Sequence, residues 1–110
     1  MEYKEMIIRR PRYARMPSLD LQGKWLDEIN FTPNTLVTAV YDDSCLTLSV
    51  SNALDSSSSS CVLQVHSKRI RGRSRTVLSL NGFLLKRYGF TSYDRVGLVL
   101  SDGMIQINKI

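Results

Sequence analysis

Apolar and polar residues alternate over several short stretches of the chain, and each stretch predicts a strand with one buried face. The alternating stretches are Leu19–Leu21, Cys45–Val50, Leu78–Leu80 and Met104–Asn108. Two further segments, Leu36–Tyr41 and Val96–Leu100, are rich in β-forming residues and are also predicted to be strands. Short helical turns are predicted over Trp25–Ile29 and Leu84–Tyr88. Each is followed by a residue that tolerates positive φ at a helix C-terminus, Asn30 or Gly89. The pattern therefore predicts a mainly β protein.

The same order of elements occurs twice, at a separation of 59 positions. Residues 6–51 and 65–110 align without a gap, and 11 of the 46 positions are identical. The match extends upstream into basic segments, where Arg9–Arg12 faces Lys68–Arg71. Because a repeat of this kind defines the architecture, we interpret the chain as a tandem duplication of a strand–helical turn–strand–strand unit.

A unit of about 45 residues rarely buries enough apolar surface to be stable by itself. We therefore expect residues 1–51 and 65–110 to share one core in a pseudo-twofold β-barrel. Residues 52–64 contain five consecutive serines, Ser56–Ser60, and are predicted to form a flexible linker. One chain could close this barrel as a pseudo-dimeric monomer, and a homodimer is the alternative.

The charge of the chain adds a second feature, because its 15 Lys and Arg against 10 Asp and Glu give a net charge of +5. The net charge is +3 over residues 1–18, −4 over 19–50, +4 over 51–77 and +2 over 78–110. Two basic arms thus precede the equivalent first strands, with Arg9, Arg10, Arg12, Arg15, Lys68, Arg69, Arg71, Arg73 and Arg75. Arginine binds phosphate or guanine in a bidentate manner, so the arms predict nucleic-acid binding. A solvated basic tail, or contact with an acidic protein, is the alternative.

Lys24 and Trp25 form a further candidate for nucleic-acid binding. The indole ring can stack on an unpaired base while Lys24 binds the phosphate. Alternatively, Trp25 is a core residue, an interpretation that Leu84 favours because it occupies the same place in the second copy.

The two helical turns differ in charge, since Lys86-Arg87 in the second copy replaces Asp27-Glu28 in the first. Lys86 and Arg87 therefore join the candidate nucleic-acid-binding residues. Asp27-Glu28 and Asp42-Asp43 could offer oxygen ligands to Mg²⁺. The first pair is more typical of a solvated helix face and the second of a hairpin turn, so we predict neither a metal site nor a cofactor.

Nothing in the sequence predicts a membrane or secretory protein. No run of 18 apolar residues occurs, and the first ten residues carry acids and a short apolar run rather than a signal peptide. Cys45 and Cys61 are too few for a disulfide framework or a four-ligand zinc set. We therefore expect a cytoplasmic protein.

Three segments of the first copy, Arg10–Tyr13, Pro17–Glu28 and Phe31–Pro33, resemble the SymE toxin family. The pattern of that family is a basic N-terminal stretch, a proline before the strand, Leu-x-Gly-Lys-Trp-Leu, a Phe-Thr pair and a hydrophobic hairpin. The first copy matches it over residues 10–50, whereas the second is divergent, with Phe83-Leu84 in place of Lys-Trp.

The resemblance implies both a fold and a function. The fold is an AbrB/MazE-like swapped-hairpin barrel, in which two β-rich halves interleave. The function is that of a toxin of a type I toxin–antitoxin system, whose message is repressed by an antisense RNA. Such a toxin binds nucleic acid and cleaves RNA as an endoribonuclease, with messenger RNA as its partner. This chain carries both halves, so a monomer could replace the homodimer of the family.

Cleavage of RNA without a metal needs a base for the 2′-hydroxyl and an acid for the leaving oxygen. His66 is the one histidine of the chain and lies beside Lys68 and Arg69, although an exposed histidine is also common without a catalytic role. Cys45 has no base spaced with it. The catalytic residues, and whether the protein is an enzyme, therefore stay open. The alternative functions are a non-catalytic AbrB-like DNA-binding regulator, a DNA-compacting protein, or a vestigial toxin or antitoxin that binds a protein partner.

Overall fold

The computed structural model describes residues 2–10, 17–42, 44–50, 60–80 and 82–110. Within these ranges the chain forms nine strands and two short helices: β1 (Glu2–Ile7), β2 (Leu19–Gln22), α1 (Lys24–Glu28), β3 (Leu36–Asp42), β4 (Cys45–Val50), β5 (Ser60–Gln64), β6 (His66–Ile70), β7 (Arg73–Leu80), α2 (Gly82–Arg87), β8 (Arg95–Ser101) and β9 (Met104–Lys109). The prediction of a mainly β protein is confirmed. No helix in the described ranges is long and apolar enough to cross a membrane.

The strands form two antiparallel sheets. The larger has six strands in the order β1-β8-β9-β4-β3-β5, and the smaller has three in the order β2-β7-β6. Strand pairing in the described part of the chain therefore gives two open sheets. The turns after the two helices agree with the sequence, because Asn30 and Gly89, each the second residue after its helix, have φ values of 70° and 80°.

The two halves of the chain, residues 2–50 and 60–110, repeat the same backbone plan. β3 and β8 begin 59 positions apart, and so do β4 and β9. The pairing registers follow the same shift, since Leu19 pairs with Leu80 and Leu21 pairs with Leu78. Leu78 lies 59 positions after Leu19, and Leu80 lies 59 positions after Leu21. A shift by 59 positions, forwards for one member and backwards for the other, therefore converts one pair into the other. The halves are therefore related by a pseudo-twofold axis.

Most strand pairs join one half to the other. β1 pairs with β8, β2 with β7, β3 with β5 and β4 with β9. Equivalent apolar residues of both halves, such as Leu26 with Leu85 and Phe31 with Phe90, are fully or almost fully buried in one core cluster. Nine described residues of this cluster come from the first half and eleven from the second, so each half supplies about as much of the core as the other.

The basic arms contain paired strands that the sequence analysis did not predict. Residues 60–64, at the end of the predicted linker, form β5 along β3, and the second arm folds into the β6–β7 hairpin. The hairpin closes through Arg71 and Gly72, whose φ values of 53° and 77° are both positive, as in a type I′ turn. Because charged side chains lie on both faces of this hairpin, its sequence does not show the alternation of apolar and polar residues that predicts a strand.

The structure also corrects the alignment of the arms. Arg9 bridges to Ser18 and His66 pairs with Val77. Ser18 and Val77 are 59 positions apart, but Arg9 and His66 are 57 apart. The gap-free match of Arg9 with Lys68 is therefore wrong for the strand pairing, because the second half has two more residues between its paired positions.

Candidate nucleic-acid interface

The β6–β7 hairpin is the most basic part of the described structure. Its five cations, Lys68, Arg69, Arg71, Arg73 and Arg75, are all exposed, and no acidic residue lies between residues 60 and 80. Lys68 pairs with Arg75, and Ile70 pairs with Arg73. Directly opposed residues of an antiparallel pair share a face. Lys68, Arg73 and Arg75 thus lie on one face, Arg69 lies on the other, and Arg71 is in the turn.

These cations are not neutralised by described carboxylates. The one salt bridge among the described residues joins Lys109 to Asp94, with an N–O distance of 3.7 Å. In that pair the backbone N–H of Thr91 is the main cause that lowers the pKa of Asp94, and Lys109 lowers it further. The hairpin therefore presents its positive charge to solvent, where it attracts polyanions.

A groove of about 450 Å³ between α1 and β7 brings Lys24 to the hairpin. Lys24 and Asp27 line one side, and Arg73–Thr76 line the other. The buried hydroxyl of Thr76 donates to the carboxylate of Asp27, at 2.9 Å from each oxygen. This hydrogen bond fixes α1 of the first half against β7 of the second, so that Lys24 lies beside the basic face.

A second groove, of about 430 Å³, lies between β1 and β2 and contains Trp25. Trp25 is half-buried and packs against the core cluster, and its Nε1–H donates to the carbonyl of Gln22 at 2.9 Å. The ammonium of Lys4 lies 5.3 Å from the centre of the indole ring. Lys24 and Trp25 therefore line different grooves, and the structure does not bring the two predicted residues to one groove.

The other predicted binding residues are distributed over the surface. Arg9 lines the second groove, and Arg10 is exposed next to it in the chain. Lys86-Arg87 is exposed at the end of α2, and no described contact joins this pair to the hairpin. Arg12 and Arg15 lie outside the described residues.

His66 is exposed on β6, opposite Val77. The alternation along β6 places its side chain on the same face as Lys68 and Arg75. A proton carrier and three cations thus share one face of the hairpin, because Arg73 lies on it as well. Among the described residues, no group of three or more His, Cys, Asp or Glu side chains is arranged to hold a metal ion.

Lys4 is the residue of this region that the sequence analysis missed. Its strand, β1, has no strong apolar alternation, because Lys4 itself occupies one of the inward positions that continue with Met6 and Ile8. The inward spacing of Lys4, Met6 and Ile8, every second residue, was the signal that could have predicted this strand. It becomes clear only when β1 is seen paired with β8.

Comparisons of the chain with protein-family models, with curated proteins and with solved structures gave no match. The resemblance to SymE toxins accordingly depends on the motif of the first half.

Proposed function

We propose that the protein binds nucleic acid through the β6–β7 hairpin and acts as a SymE-like toxin of a type I toxin–antitoxin system, with RNA as its target. Binding is supported by one observation above all, the five exposed cations of the hairpin without a described carboxylate partner. Each cation that neutralises a phosphate releases a condensed counterion, which favours association. The choice of RNA and the toxin activity depend on the sequence resemblance.

The proposal includes the AbrB/MazE-like swapped-hairpin barrel. It is supported by the exchange of outer strands, since β1 pairs with β8 of the other half and β5 pairs with β3. The exact pseudo-twofold register of β4 with β9, where Cys45 pairs with Asn108 and Ser49 with Met104, also fits two interleaved halves. A crystal structure of the protein tests this part. Sheets joined into one barrel would support the swapped-hairpin barrel, and two separate sheets would contradict it.

Cleavage of RNA is the catalytic part of the proposal. Purified protein is incubated with labelled RNA and with duplex DNA, with and without EDTA. We expect shortened RNA in both conditions and intact DNA, and the cleavage should be lost with His66→Gln if His66 carries the proton. RNA that is retarded on a gel but stays intact would leave the protein as a binding protein only.

Duplex DNA is the second candidate target, and the shape of the hairpin favours it. A two-stranded β-ribbon fits the major groove of B-form DNA, whereas the major groove of A-form RNA is deep and narrow. In this case the protein is a non-catalytic regulator or a DNA-compacting protein. Equal affinity for unrelated duplexes would indicate compaction, and preference for one sequence would indicate a regulator.

The binding surface is tested by the double variant Arg69→Ala with Arg71→Ala. Because two phosphate contacts are removed, affinity should fall, and the slope of log K against log salt should decrease by up to about two. Arg95→Ala is the matched control, since Arg95 is exposed on β8 of the other sheet. A slope that is the same in the double variant and in the unmodified protein would exclude the hairpin tip from the interface.

A further inference from the structure

We infer that the groove between β1 and β2 binds one unpaired nucleotide, with the indole of Trp25 as its stacking surface and the ammonium of Lys4 as its phosphate contact. The inference rests on the proposed nucleic-acid binding and narrows the ligand to a strand with at least one unstacked base. It places this site apart from the hairpin, on residues of the first half.

Trp25 is held in a fixed orientation before any ligand binds. Its Nε1–H is bonded to the carbonyl of Gln22 at 2.9 Å. Gly23 lies against the pyrrole edge, since a Cβ built there would be 3.0 Å from Cδ1 of the indole. Gly23 also has a φ of 128°, a conformation that other residues rarely adopt. The ring is thus pre-organised, which lowers the entropy cost of stacking a base on it.

The side chains around the ring suit the remaining parts of a nucleotide. The ammonium of Lys4 lies over the ring face, so a base that stacks there must displace it towards the phosphate. Arg9 lines the same groove as a second cation, and Glu5 and Asp20 line it as carboxylates. Asp20 and Gln22 are exposed at the groove wall and offer hydrogen-bonding groups to a base edge. Stacking, cation contact and polar edges together are the means by which proteins hold single-stranded nucleic acid.

The second half does not repeat this arrangement. Leu84, the equivalent of Trp25, is an aliphatic residue with 5% of its surface exposed. The strand equivalent to β1 is β5, and the 57-position offset places Cys61, an uncharged residue, where Lys4 is found. We therefore expect one such site per chain rather than a symmetric pair.

The fluorescence of Trp25 tests the inference directly, because Trp25 is the one tryptophan of the sequence. The protein is titrated with a short single-stranded RNA and with a duplex RNA of the same sequence. Binding of each is followed independently by anisotropy of a label on the RNA. The single strand should quench the indole and protect it from acrylamide, and the duplex should do neither at equal occupancy.

Two variants at Trp25 measure the contribution of stacking. Trp25→Leu introduces the residue of the second half and should weaken single-strand binding about fivefold or more, with little change for the duplex. Trp25→Phe retains an aromatic face and should recover part of that loss. Lys4→Met keeps the aliphatic stem, removes the charge, and should reduce the salt dependence of single-strand binding by about one.

The failure of this inference can be told apart from failure of the proposed function. Anisotropy that reports bound single strand, with unchanged Trp25 fluorescence and accessibility, would overturn the nucleotide site and leave hairpin binding intact. Absence of binding to any RNA or DNA would overturn both. Should Trp25→Leu fail to fold by circular dichroism, the quenching and protection of the unmodified protein decide the result.

Discussion

β1 and β5 occupy equivalent places at the two edges of the six-stranded sheet, yet their sequences have little in common. β1 reads Glu-Tyr-Lys-Glu-Met-Ile, with three charges, and β5 reads Ser-Cys-Val-Leu-Gln, with none. Both pair antiparallel with the outer strand of the other half's hairpin, β8 or β3. By contrast, β2 and the end of β7 retain the same buried leucines, Leu19 and Leu21 against Leu78 and Leu80.

The difference shows in which part of the repeat the structure depends on the identity of the side chains. Backbone hydrogen bonds at an edge place little demand on the exposed side chains, so β1 and β5 can diverge while they keep their positions. Buried leucines must fill a shared core, and their spacing is preserved. Similarity between the halves is therefore expected where the core is built, and divergence where each half has acquired its own surface.

The largest predicted effect follows from the pairing of the halves with each other. A chain cut within residues 51–59 should give two fragments that are each unfolded, because β1, β2 and β4 lose their partners β8, β7 and β9. An equimolar mixture should regain the far-ultraviolet circular dichroism of strands. A single fragment that unfolds cooperatively by itself would contradict the interleaved core.

The next effect concerns the two equivalent phenylalanines of the core. Phe31 and Phe90 have 0% and 1% of their surfaces exposed, and each backbone N–H bonds to the equivalent leucine carbonyl at 2.8 Å. Phe31→Ala and Phe90→Ala should each lower the free energy of unfolding by about 3–5 kcal/mol, measured with urea. Tyr93→Ala, at a side chain that is 72% exposed, is the control and should change it by about 0.5 kcal/mol or less. Unequal losses at Phe31 and Phe90 would show that the halves contribute unequally to the core.

A smaller effect concerns the edges of the six-stranded sheet, where one edge pairs a small residue with a large neighbour and the other edge does the reverse. A Cβ at Gly97 would lie 2.5 Å from the hydroxyl oxygen of Tyr3, whereas the other edge of the sheet has Thr38 at the place of Gly97 and Ser60 at the place of Tyr3. Gly97→Thr should destabilise the protein by about 1 kcal/mol, because the Tyr3 ring must move. Adding Tyr3→Ser should recover most of that loss, which gives a coupling of about 1 kcal/mol in a double-mutant cycle. Purely additive losses in urea unfolding would argue against the exchange.

The smallest effect is a pH dependence that only the second half should show. The N–H of Thr91 bonds to Asp94 at 2.8 Å and, with Lys109, lowers the pKa of Asp94 below its ordinary 3.8. A lowered pKa favours the charged form in the folded state. This contribution is therefore complete well above pH 4 and is lost as the pH falls through the folded-state pKa. For so exposed a pair it should be below about 1 kcal/mol.

The substitution Asp94→Thr tests this pH dependence. It introduces threonine, the residue type that the first half has at the equivalent position, Thr35. Thermal unfolding of the unmodified protein and of the variant is compared between pH 3 and pH 7. The gap between their stabilities should narrow as the pH falls below 4. A gap of constant size would mean that the charge of Asp94 does not stabilise the fold.

The local elements of the protein could be predicted from the sequence. The bounds of β4 at Cys45–Val50 agree with the alternation of the sequence, and Asn30 has the positive φ expected after its helical turn. These features depend on neighbours along the chain, which the sequence displays. The separation of 59 positions between equivalent buried residues was visible for the same reason.

The arms and the candidate site could be predicted only in part. The sequence indicated the basic residues Arg69 and Arg71, but it gave no sign that they lie at the tip of a hairpin. It also paired Trp25 with its neighbour Lys24, whereas the structure brings Lys4 to the indole. Adjacent residues at the start of α1 project in different directions, so proximity in sequence did not give proximity in space.

The sequence by itself determined the alternation of the core strands, the turns after the two helices, and the repeat, because periodicity and the placement of turn residues are local properties. Only the tertiary structure decided how the halves interleave, the two-residue offset between the arms, and which cations share a surface. Those features arise from backbone pairing between strands that are far apart in the chain. At a sheet edge such pairing depends little on which side chains the edge strand carries. The residue pattern of one strand therefore does not determine the register of its pairing.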